Sequence, residues 1–274
     1  MRIIERPSPN FNERAGGAVD MLVLHYTGMI SREHAMARMC DPQSRVSAHY
    51  LVDETGRAYQ LVDEAHRAWH AGVSFWAGER DINSRSIGIE LVNPGHDLGY
   101  RNFPLLQMRA LAQLCLQILA RHAIPAKRVL GHSDVAPGRK RDPGEKFDWA
   151  WLAGQGIGIW PVAPENKLPS LNLNSTPPQT PPHQRGGALP PDSAPLPHPG
   201  GEGRGGGHSN DSGYANILQL QRDLGRFGYD IPQTGIYGTR TRAVITAFQR
   251  HFLPDRVHGV ADAHMLALLK QLLA

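Results

Sequence analysis

The chain has 274 residues, of which 41% are hydrophobic, and this is enough to build a sizeable core in one or two domains. Its formal net charge of +4 is only mildly basic, and no Lys/Arg block with interleaved aromatic residues occurs, so no nucleic-acid partner is predicted. Cys40 and Cys115 lack Cys-x-x-Cys spacing, which argues against a thiolate metal site and against a disulfide framework.

The first residues of the sequence bear on cellular location. Residues 1–7 contain no apolar run of the kind a secretory signal requires, and no stretch of about 18 apolar residues is present to span a membrane. The sequence as it stands therefore predicts a cytoplasmic protein. The alternative is the periplasm or outer envelope, if a signal or lipoprotein segment lies upstream of a mis-assigned start.

The N-terminal part of the chain predicts an arm, a strand and a helix. Residues 1–19 are rich in Pro, Asn and Gly, which indicates an irregular arm. The apolar run 21–26 predicts a buried strand that carries His25 near its end. His25 at this position fits a ligand-binding role, and alone it fits a core histidine bonded to a backbone carbonyl equally well. Ser31 is expected to cap a short helix that stops before Asp41.

The next segment predicts a hairpin followed by an aromatic loop. Two alternating runs, residues 46–52 and 58–62, flank a turn that contains Gly56, which is typical of a β-hairpin. The loop that follows sets Trp69 and His70 among glycine residues. This composition suits the wall of a ligand cleft, and it also suits a loop packed over the sheet.

A lone acidic residue distinguishes the second predicted strand. In residues 86–93 apolar side chains alternate, so one strand face carries Glu90 between Gly88 and Val92. A carboxylate in such surroundings costs free energy unless it is paired, hydrogen-bonded or shifted in pKa. We therefore expect Glu90 to have a raised pKa and a chemical role. An amphipathic helix over residues 104–122 is predicted to pack on the sheet.

The loop 131–144 concentrates chemistry-bearing side chains. It holds His132, Asp134, Lys140 and Asp142 in a segment interrupted by Gly and Pro, where side chains are free to converge on a ligand. A catalytic metal ion shared with the upstream strand histidine would explain such a loop. From the residues alone, the acidic ligand beside His132 can be either Asp134 or Asp142.

Composition divides the chain into three parts. More than half of the residues between Pro177 and Gly207 are Pro or Gly, which predicts a disordered linker at 162–212 that lets the flanking domains move independently. The linker separates a first domain at 1–161 from a second at 213–274. The second shows three helical apolar faces and no cluster of catalytic groups, so it predicts a small bundle with a binding function.

Both domains resemble known families. Residues 15–160 resemble the zinc-dependent N-acetylmuramoyl-L-alanine amidases of the amidase type 2 family, relatives of phage endolysins and animal peptidoglycan recognition proteins. The residues that carry this resemblance are 24–27, 47–50, 69–72, 86–91 and 131–134, followed by Lys140 and Asp142. Residues 214–273 resemble the three-helix peptidoglycan-binding domain of bacterial wall hydrolases. The resemblance implies an α/β fold with a mixed central sheet flanked by helices, plus a C-terminal three-helix bundle.

The resemblance also implies a site. One Zn²⁺ ion is expected on His25, His132 and Asp142, which decides between the two acidic residues. Glu90 and Lys140 are expected to be catalytic. A weaker expectation assigns substrate contacts to His49, Trp69, His70 and Asn93; for the two histidines, support of a metal ligand is the alternative to lining the cleft. Zinc would lower the pKa of a bound water to about 7 for attack on the amide carbonyl, with Glu90 transferring the proton and Lys140 stabilising the oxyanion.

The implied substrate is peptidoglycan or a muropeptide. The bond cleaved would join the lactyl group of N-acetylmuramic or anhydro-N-acetylmuramic acid to L-alanine, in bacterial wall turnover or muropeptide recycling. Two alternatives are a host-lysis endolysin and a non-catalytic recognition protein, although the latter class typically lacks a zinc ligand. The C-terminal domain and the residues 93–96 favour the envelope location. Nothing in the sequence predicts the oligomeric state.

Overall fold

The computed structural model describes residues 2–161 and 209–274. The predicted linker at 162–212 lies outside the described residues, apart from its last four positions, which belong to a helix.

A six-stranded sheet forms the centre of the first domain, and two short strands pair beside it. The strands are β1 (Ile3–Glu5), β2 (Phe11–Glu13), β3 (Met21–Tyr26), β4 (Tyr50–Val52), β5 (Ala58–Gln60), β6 (His66–Ala68), β7 (Ser86–Leu91) and β8 (Val129–Gly131). Their spatial order in the large sheet is β1-β5-β4-β7-β3-β8, and every neighbouring pair is parallel except the β4–β5 hairpin. The predicted mixed sheet is therefore confirmed.

The N-terminal arm is more regular than expected. β1 pairs in parallel with β5, and β2 pairs antiparallel with β6. The prediction of an irregular arm for residues 1–19 was wrong for these two segments. Each strand is only three residues long, too short to show a period, and each pairs with a segment more than 50 residues away, which a local pattern does not reveal.

Helices cover both faces of the sheet and form the C-terminal domain. They are α1 (Arg32–Cys40), α2 (Ile82–Arg85), α3 (Gly95–Leu98), α4 (Leu105–Arg121), α5 (His132–Val135), α6 (Trp149–Gly154), α7 (Ser209–Phe227), α8 (Thr239–Phe252) and α9 (Ala263–Leu273), with short 3₁₀ turns at Pro42–Ser44, Ala126–Arg128 and Pro254–Arg256. The predicted caps form: Ser31 accepts a hydrogen bond from His34 N at the start of α1, and Asp262 accepts one from Met265 N at the start of α9.

The alternation of β3 explains how the layers are arranged. Leu22 and Leu24 point to one face, where they belong to the hydrophobic cluster of α4. Met21 and Val23 point to the other face and share a cluster with buried residues of α7, α8 and α9. His25 lies on this second face, one position beyond the covered part. The C-terminal helices thus cover the start of the strand face whose end carries His25.

The C-terminal bundle packs against the first domain instead of standing apart from it. The Trp76 ring lies 5.0 Å from that of Tyr229, and Ala77 N donates to Gly228 O at 2.8 Å. Lys127 Nζ donates to Leu272 O at 2.9 Å. This packing differs from the expectation of two independently moving domains. The helical pattern of the second domain shows which faces are apolar, but it does not show what covers them.

Glu64 provides a test of the fold at low pH. Burial raises the pKa of this carboxyl, but hydrogen bonds from Arg121, Tyr50 and His122 outweigh burial and lower it to about 2. Since this pKa lies below the unfolded value, the ionised group stabilises the fold above about pH 4.5, and the contribution is lost as the pH falls through 2.

We expect Glu64→Gln to reduce the free energy of unfolding by about 1–2 kcal/mol at pH 7, after allowance for solvent screening. The deficit relative to wild type should shrink by more than half between pH 7 and pH 3. Denaturant titrations across this range measure it, with Glu5→Gln at an exposed strand position as the control. A deficit that stays constant with pH would contradict the assignment.

Candidate active site

Three side chains converge at the carboxyl ends of neighbouring strands. His25 is the last residue of β3 on the face that also carries Met21 and Val23. His132 directly follows β8, which pairs in parallel with β3. The two Nδ1 atoms lie 2.9 Å apart, and each lies 3.0 Å from Asp142 Oδ2. All three residues are buried, and their donor atoms lie within 4.8 Å of one another. The structure therefore brings together the three predicted metal ligands as a potential metal site.

The hydrogen-bond partners of His25 and His132 show which nitrogen of each ring carries the hydrogen. His132 Nε2 lies 2.9 Å from Ala71 O, which can only accept, so this nitrogen carries the hydrogen and Nδ1 keeps its lone pair. For His25, the position of the hydrogen follows from the hydrogen bonds of Ser86 and His70. Ser86 Oγ donates to Ile82 O at 2.6 Å, so it accepts from His70 Nε2 at 3.2 Å. His70 Nδ1 then accepts from His25 Nε2 at 3.1 Å. The Nδ1 lone pair of each histidine, His25 and His132, consequently faces the cluster.

The charges of the three groups suit a cation. Burial, with nearby His132, lowers the pKa of His25 to about 4, so the ring is neutral at pH 7. Burial alone would raise the pKa of Asp142, but its proximity to His132 and His25 holds it well below its usual range. Two imidazoles, each with its Nδ1 directed at the cluster, and one carboxylate match the donor set of a catalytic metal centre with one open coordination position.

Glu90 lies beside this cluster in a register fixed by the sheet. It pairs directly with His25 across β3 and β7, so the two side chains lie on the same face. Its Oε2 atom is buried without a hydrogen-bond partner among the described residues. Burial raises the pKa of Glu90 to about 8; Asp142 adds to the rise and Lys140 opposes it. This is the direction that the strand pattern predicts.

The cluster opens into a cleft of about 510 Å³. The cleft is lined by Glu90 and by the predicted metal ligands His132 and Asp142, together with His70 and Lys140. Glycine makes room for part of this arrangement: a Cβ on Gly88 would lie 2.4 Å from the His70 ring. His70 thus lies in the cleft and also fixes the orientation of His25, a supporting role that the sequence analysis allowed for.

Three other predicted residues do not reach the cleft. His49 is fully buried, accepts a hydrogen bond from Gly88 N at 3.0 Å and contacts Arg14. Trp69 Nε1 donates to Asn12 Oδ1, and Asn93 is buried with its side chain bonded to the backbone of the loop 95–101. Each of these polar groups is satisfied within the protein, so the structure gives no support to the expected substrate contacts of His49, Trp69 and Asn93.

Asp134, the alternative acidic ligand, points away from the metal cluster. Its carboxylate accepts hydrogen bonds from Gly131 N at 2.8 Å and from Tyr229 OH at 2.8 Å, and it lies 2.7 Å from His251 Nδ1. The His251 ring stacks on Trp149 with centroids 3.8 Å apart. Sequence reasoning missed this network because Tyr229 and His251 occupy buried positions of a helical domain, where nothing marks them as partners of the loop that carries His132.

Tyr229 allows a minimal test of this contact. We expect Tyr229→Phe to lower the free energy of unfolding by about 2 kcal/mol, because it removes one donor from a buried carboxylate while keeping the ring in place. Denaturant unfolding of the full chain measures the change. Tyr59→Phe, which also removes a hydroxyl bonded to a carboxylate but within the first domain, compares the two contacts. An unfolding free energy unchanged in Tyr229→Phe would show that the contact adds nothing to stability.

Comparison with known proteins identifies the family. The family model described as N-acetylmuramoyl-L-alanine amidase matches residues 15–145, and the one described as putative peptidoglycan binding domain matches residues 213–269. The N-acetylmuramoyl-L-alanine amidase AmiD of Escherichia coli is 35% identical over 267 residues, which cover 93% of this chain and 82% of AmiD. The chain belongs to the N-acetylmuramoyl-L-alanine amidase family.

Further relatives agree with this membership. The 1,6-anhydro-N-acetylmuramyl-L-alanine amidase AmpD of Haemophilus influenzae is 34% identical over 161 residues, which cover 52% of this amidase and 85% of AmpD. The structure of E. coli AmiD with the substrate anhydro-N-acetylmuramic acid-L-Ala-D-γ-Glu-L-Lys matches with a TM-score of 0.68 at 31% identity, covering 98% of this chain and 92% of AmiD. The predicted family, fold class and enzyme class are confirmed.

A third relative also matches through both domains. AmpDh3 of Pseudomonas aeruginosa, in complex with anhydromuramic pentapeptide, matches with a TM-score of 0.67 at 28% identity and covers 97% of this amidase and 94% of AmpDh3. In the part of the chain that the structure describes, no helix of this amidase combines the length and apolarity needed to cross a membrane.

Proposed function

We propose that this amidase hydrolyses the amide bond between the lactyl group of N-acetylmuramic acid, or of its 1,6-anhydro form, and the L-alanine of the stem peptide. We further propose that it does so with one Zn²⁺ ion held by His25 Nδ1, His132 Nδ1 and Asp142 Oδ2. The observation that carries the proposal is the convergence of these three donor atoms, with both imidazole protons directed away from them.

The ion and the side chains have separate tasks in this proposal. A zinc ion bound there supplies a Lewis acid that activates water and polarises the amide carbonyl. Glu90 takes the proton of the attacking water on its unbonded Oε2 and delivers it to the leaving nitrogen, because an amine expelled without a proton is a poor leaving group. Its raised pKa suits both halves of this transfer near neutral pH.

Lys140 has an electrostatic role in the same proposal. It lines the cleft beside Glu90 and Asp142, and its ammonium group stabilises the negative charge that develops on the carbonyl oxygen. One well-placed donor of this kind contributes about 3 kcal/mol to the transition state.

The substrate class is supported by the relatives. The structure of AmiD holds anhydro-N-acetylmuramic acid-L-Ala-D-γ-Glu-L-Lys and that of AmpDh3 holds anhydromuramic pentapeptide. The C-terminal domain matches a putative peptidoglycan binding domain. We propose that this amidase takes muropeptides with anhydro or ordinary muramic ends. A preference for anhydro fragments would indicate a role in muropeptide recycling, and cleavage of intact wall would indicate a role in wall turnover.

Mass spectrometry of muropeptide digests tests this proposal. Purified ordinary and anhydro muropeptides and intact wall are incubated with the zinc-loaded protein and, as a control, with chelator-treated protein. Release of free stem peptide by the zinc-loaded protein alone is expected, and the substrate that disappears indicates the biological setting. If no stem peptide appears from any substrate with zinc bound, the proposed reaction is wrong.

A further inference from the structure

A second cavity adjoins the catalytic cleft at the boundary between the domains. It has a volume of about 280 Å³ and lies between the loop that carries Lys140 and helix α8 of the C-terminal domain. Its lining includes four cationic side chains, Lys140, Arg141, Arg242 and Arg250, and the hydroxyl residues Thr239 and Thr246. None of the described residues that line it is acidic. We call this space the cationic cavity.

The positive charge of the cationic cavity is only partly neutralised. Arg141 pairs with Asp97, and Arg250 lies 3.7 Å from Glu145. Lys140 and Arg242 have no ion-pair partner among residues 2–161 and 209–274. The Arg242 guanidinium lies over the Tyr237 ring at 5.9 Å from its centroid, which leaves its N–H groups available.

Two further features add to the positive potential of the cationic cavity. Arg250 Nε is buried, and its ion pair with Glu145 Oε2, at 3.7 Å, is too long for a hydrogen bond, so this donor is only partly satisfied. Helix α8 begins at Thr239 behind Gly238, which offers no side-chain oxygen to its first turn, so the helix end adds partial positive charge. A cavity with uncompensated cations and free donors fits an anion with several oxygen acceptors.

The cationic cavity shares two lining residues with the proposed reaction site. Lys140 and Arg141 line both the cleft around the metal ligands and the cationic cavity. A substrate held at the metal cluster can therefore extend across these two residues toward α8. The part of the substrate that continues beyond the scissile bond is the stem peptide.

We propose that the cationic cavity binds a free carboxylate of the stem peptide, with Arg242 of the C-terminal domain as a specificity-determining residue. This inference rests on the proposed function. A γ-linked glutamate leaves its α-carboxylate free, and the peptide ends in a second carboxylate, so an extended stem presents anions along its length. The C-terminal domain then contributes directly to substrate recognition beside the cleft, in addition to any attachment to the wall.

The test compares muramyl tripeptides that differ only in charge. One carries both carboxylates free, one has the glutamate α-carboxylate amidated, and one has both carboxylates amidated. Initial rates are measured for zinc-loaded wild type, Arg242→Gln and Arg222→Gln, the last being an exposed arginine on α7 that does not line the cationic cavity. Arg242→Lys tests whether a positive charge alone restores recognition.

We expect Arg242→Gln to lose about tenfold in kcat/KM on the fully charged tripeptide, mainly through KM, and less than twofold on the doubly amidated one. Partial recovery in Arg242→Lys and wild-type behaviour in Arg222→Gln are also expected. The singly amidated tripeptide identifies which carboxylate is bound. If amidation of the glutamate α-carboxylate alone removes the effect of Arg242→Gln, that carboxylate is bound; if the effect remains, the terminal carboxylate is bound.

Two results would overturn the inference. An equal loss on charged and amidated tripeptides would assign Arg242 a structural role, and no loss on any tripeptide would remove it from recognition. Both are distinct from failure of the proposed function, in which zinc-loaded wild type releases no peptide from any of the three substrates.

Discussion

Replacing Glu90 by glutamine is expected to lower kcat for muropeptide hydrolysis by about 10³-fold. Glutamine keeps the size of the side chain but can neither take the proton of water nor deliver one to the leaving nitrogen. Zinc content is expected to stay at one ion per chain, because Glu90 is not among the three converging donors. Stem-peptide release followed by mass spectrometry, together with metal analysis of the same sample, measures both quantities.

The same substitution is expected to stabilise the metal-free protein. The folded pKa of Glu90, about 8, lies above its unfolded value near 4.5, so wild type loses stability as the pH rises between these values. Glutamine removes this loss. In chelator at pH 8, the free energy of unfolding of Glu90→Gln should be about 1–3 kcal/mol higher than that of wild type. Glu5→Gln is the matched control and should change neither quantity. Full activity in Glu90→Gln would refute the proton-transfer role.

The residues that the structure brings together at the candidate site were recognised in the sequence from local patterns. Strand alternation identifies the face of Glu90, and the end of an apolar run identifies His25. Because β3, β7 and β8 are parallel neighbours, residues at their carboxyl ends meet, and the loop that carries His132 and Asp142 follows β8. Periodicity and order along the chain therefore place His25, Glu90 and the loop after β8 at one end of the sheet, whereas the choice of Asp142 over Asp134 came from the family resemblance.

The parts that the sequence did not predict depend on partners distant along the chain. The strand β1 becomes regular only through pairing with β5, and Asp134 gains its role only from Tyr229 and His251 in the other domain. His49 shows that a residue recognised from the family pattern can have its hydrogen bonds inside the protein. It lies in a block that resembles the family's site, but its ring is bonded to the backbone of the neighbouring strand. A polar residue in a matching block can support the protein from within instead of contacting a ligand, and sequence alone does not separate the two.

Replacing Asp142 by asparagine is expected to weaken zinc binding by about 10³-fold or more and to abolish hydrolysis. The substitution removes the only negative charge among the three donors, and an amide oxygen is a weaker zinc ligand than a carboxylate. Wild type should gain thermal stability on addition of zinc, since a ligand that binds only the folded state raises the melting temperature, and Asp142→Asn should gain little.

Two further variants make this experiment decisive between the acidic residues of the loop. Asp255→Asn, at an exposed position in the C-terminal domain, controls for the chemical change and should keep both zinc and activity. Asp134→Asn should lose stability, because its carboxylate holds Gly131 N, Tyr229 and His251, yet the folded protein should still bind zinc. If Asp134→Asn loses zinc while Asp142→Asn keeps it, the assigned ligand set is wrong. The metal-dependent shift in melting temperature separates these cases because it reports zinc binding to folded protein, independently of how stable each variant is without the ion.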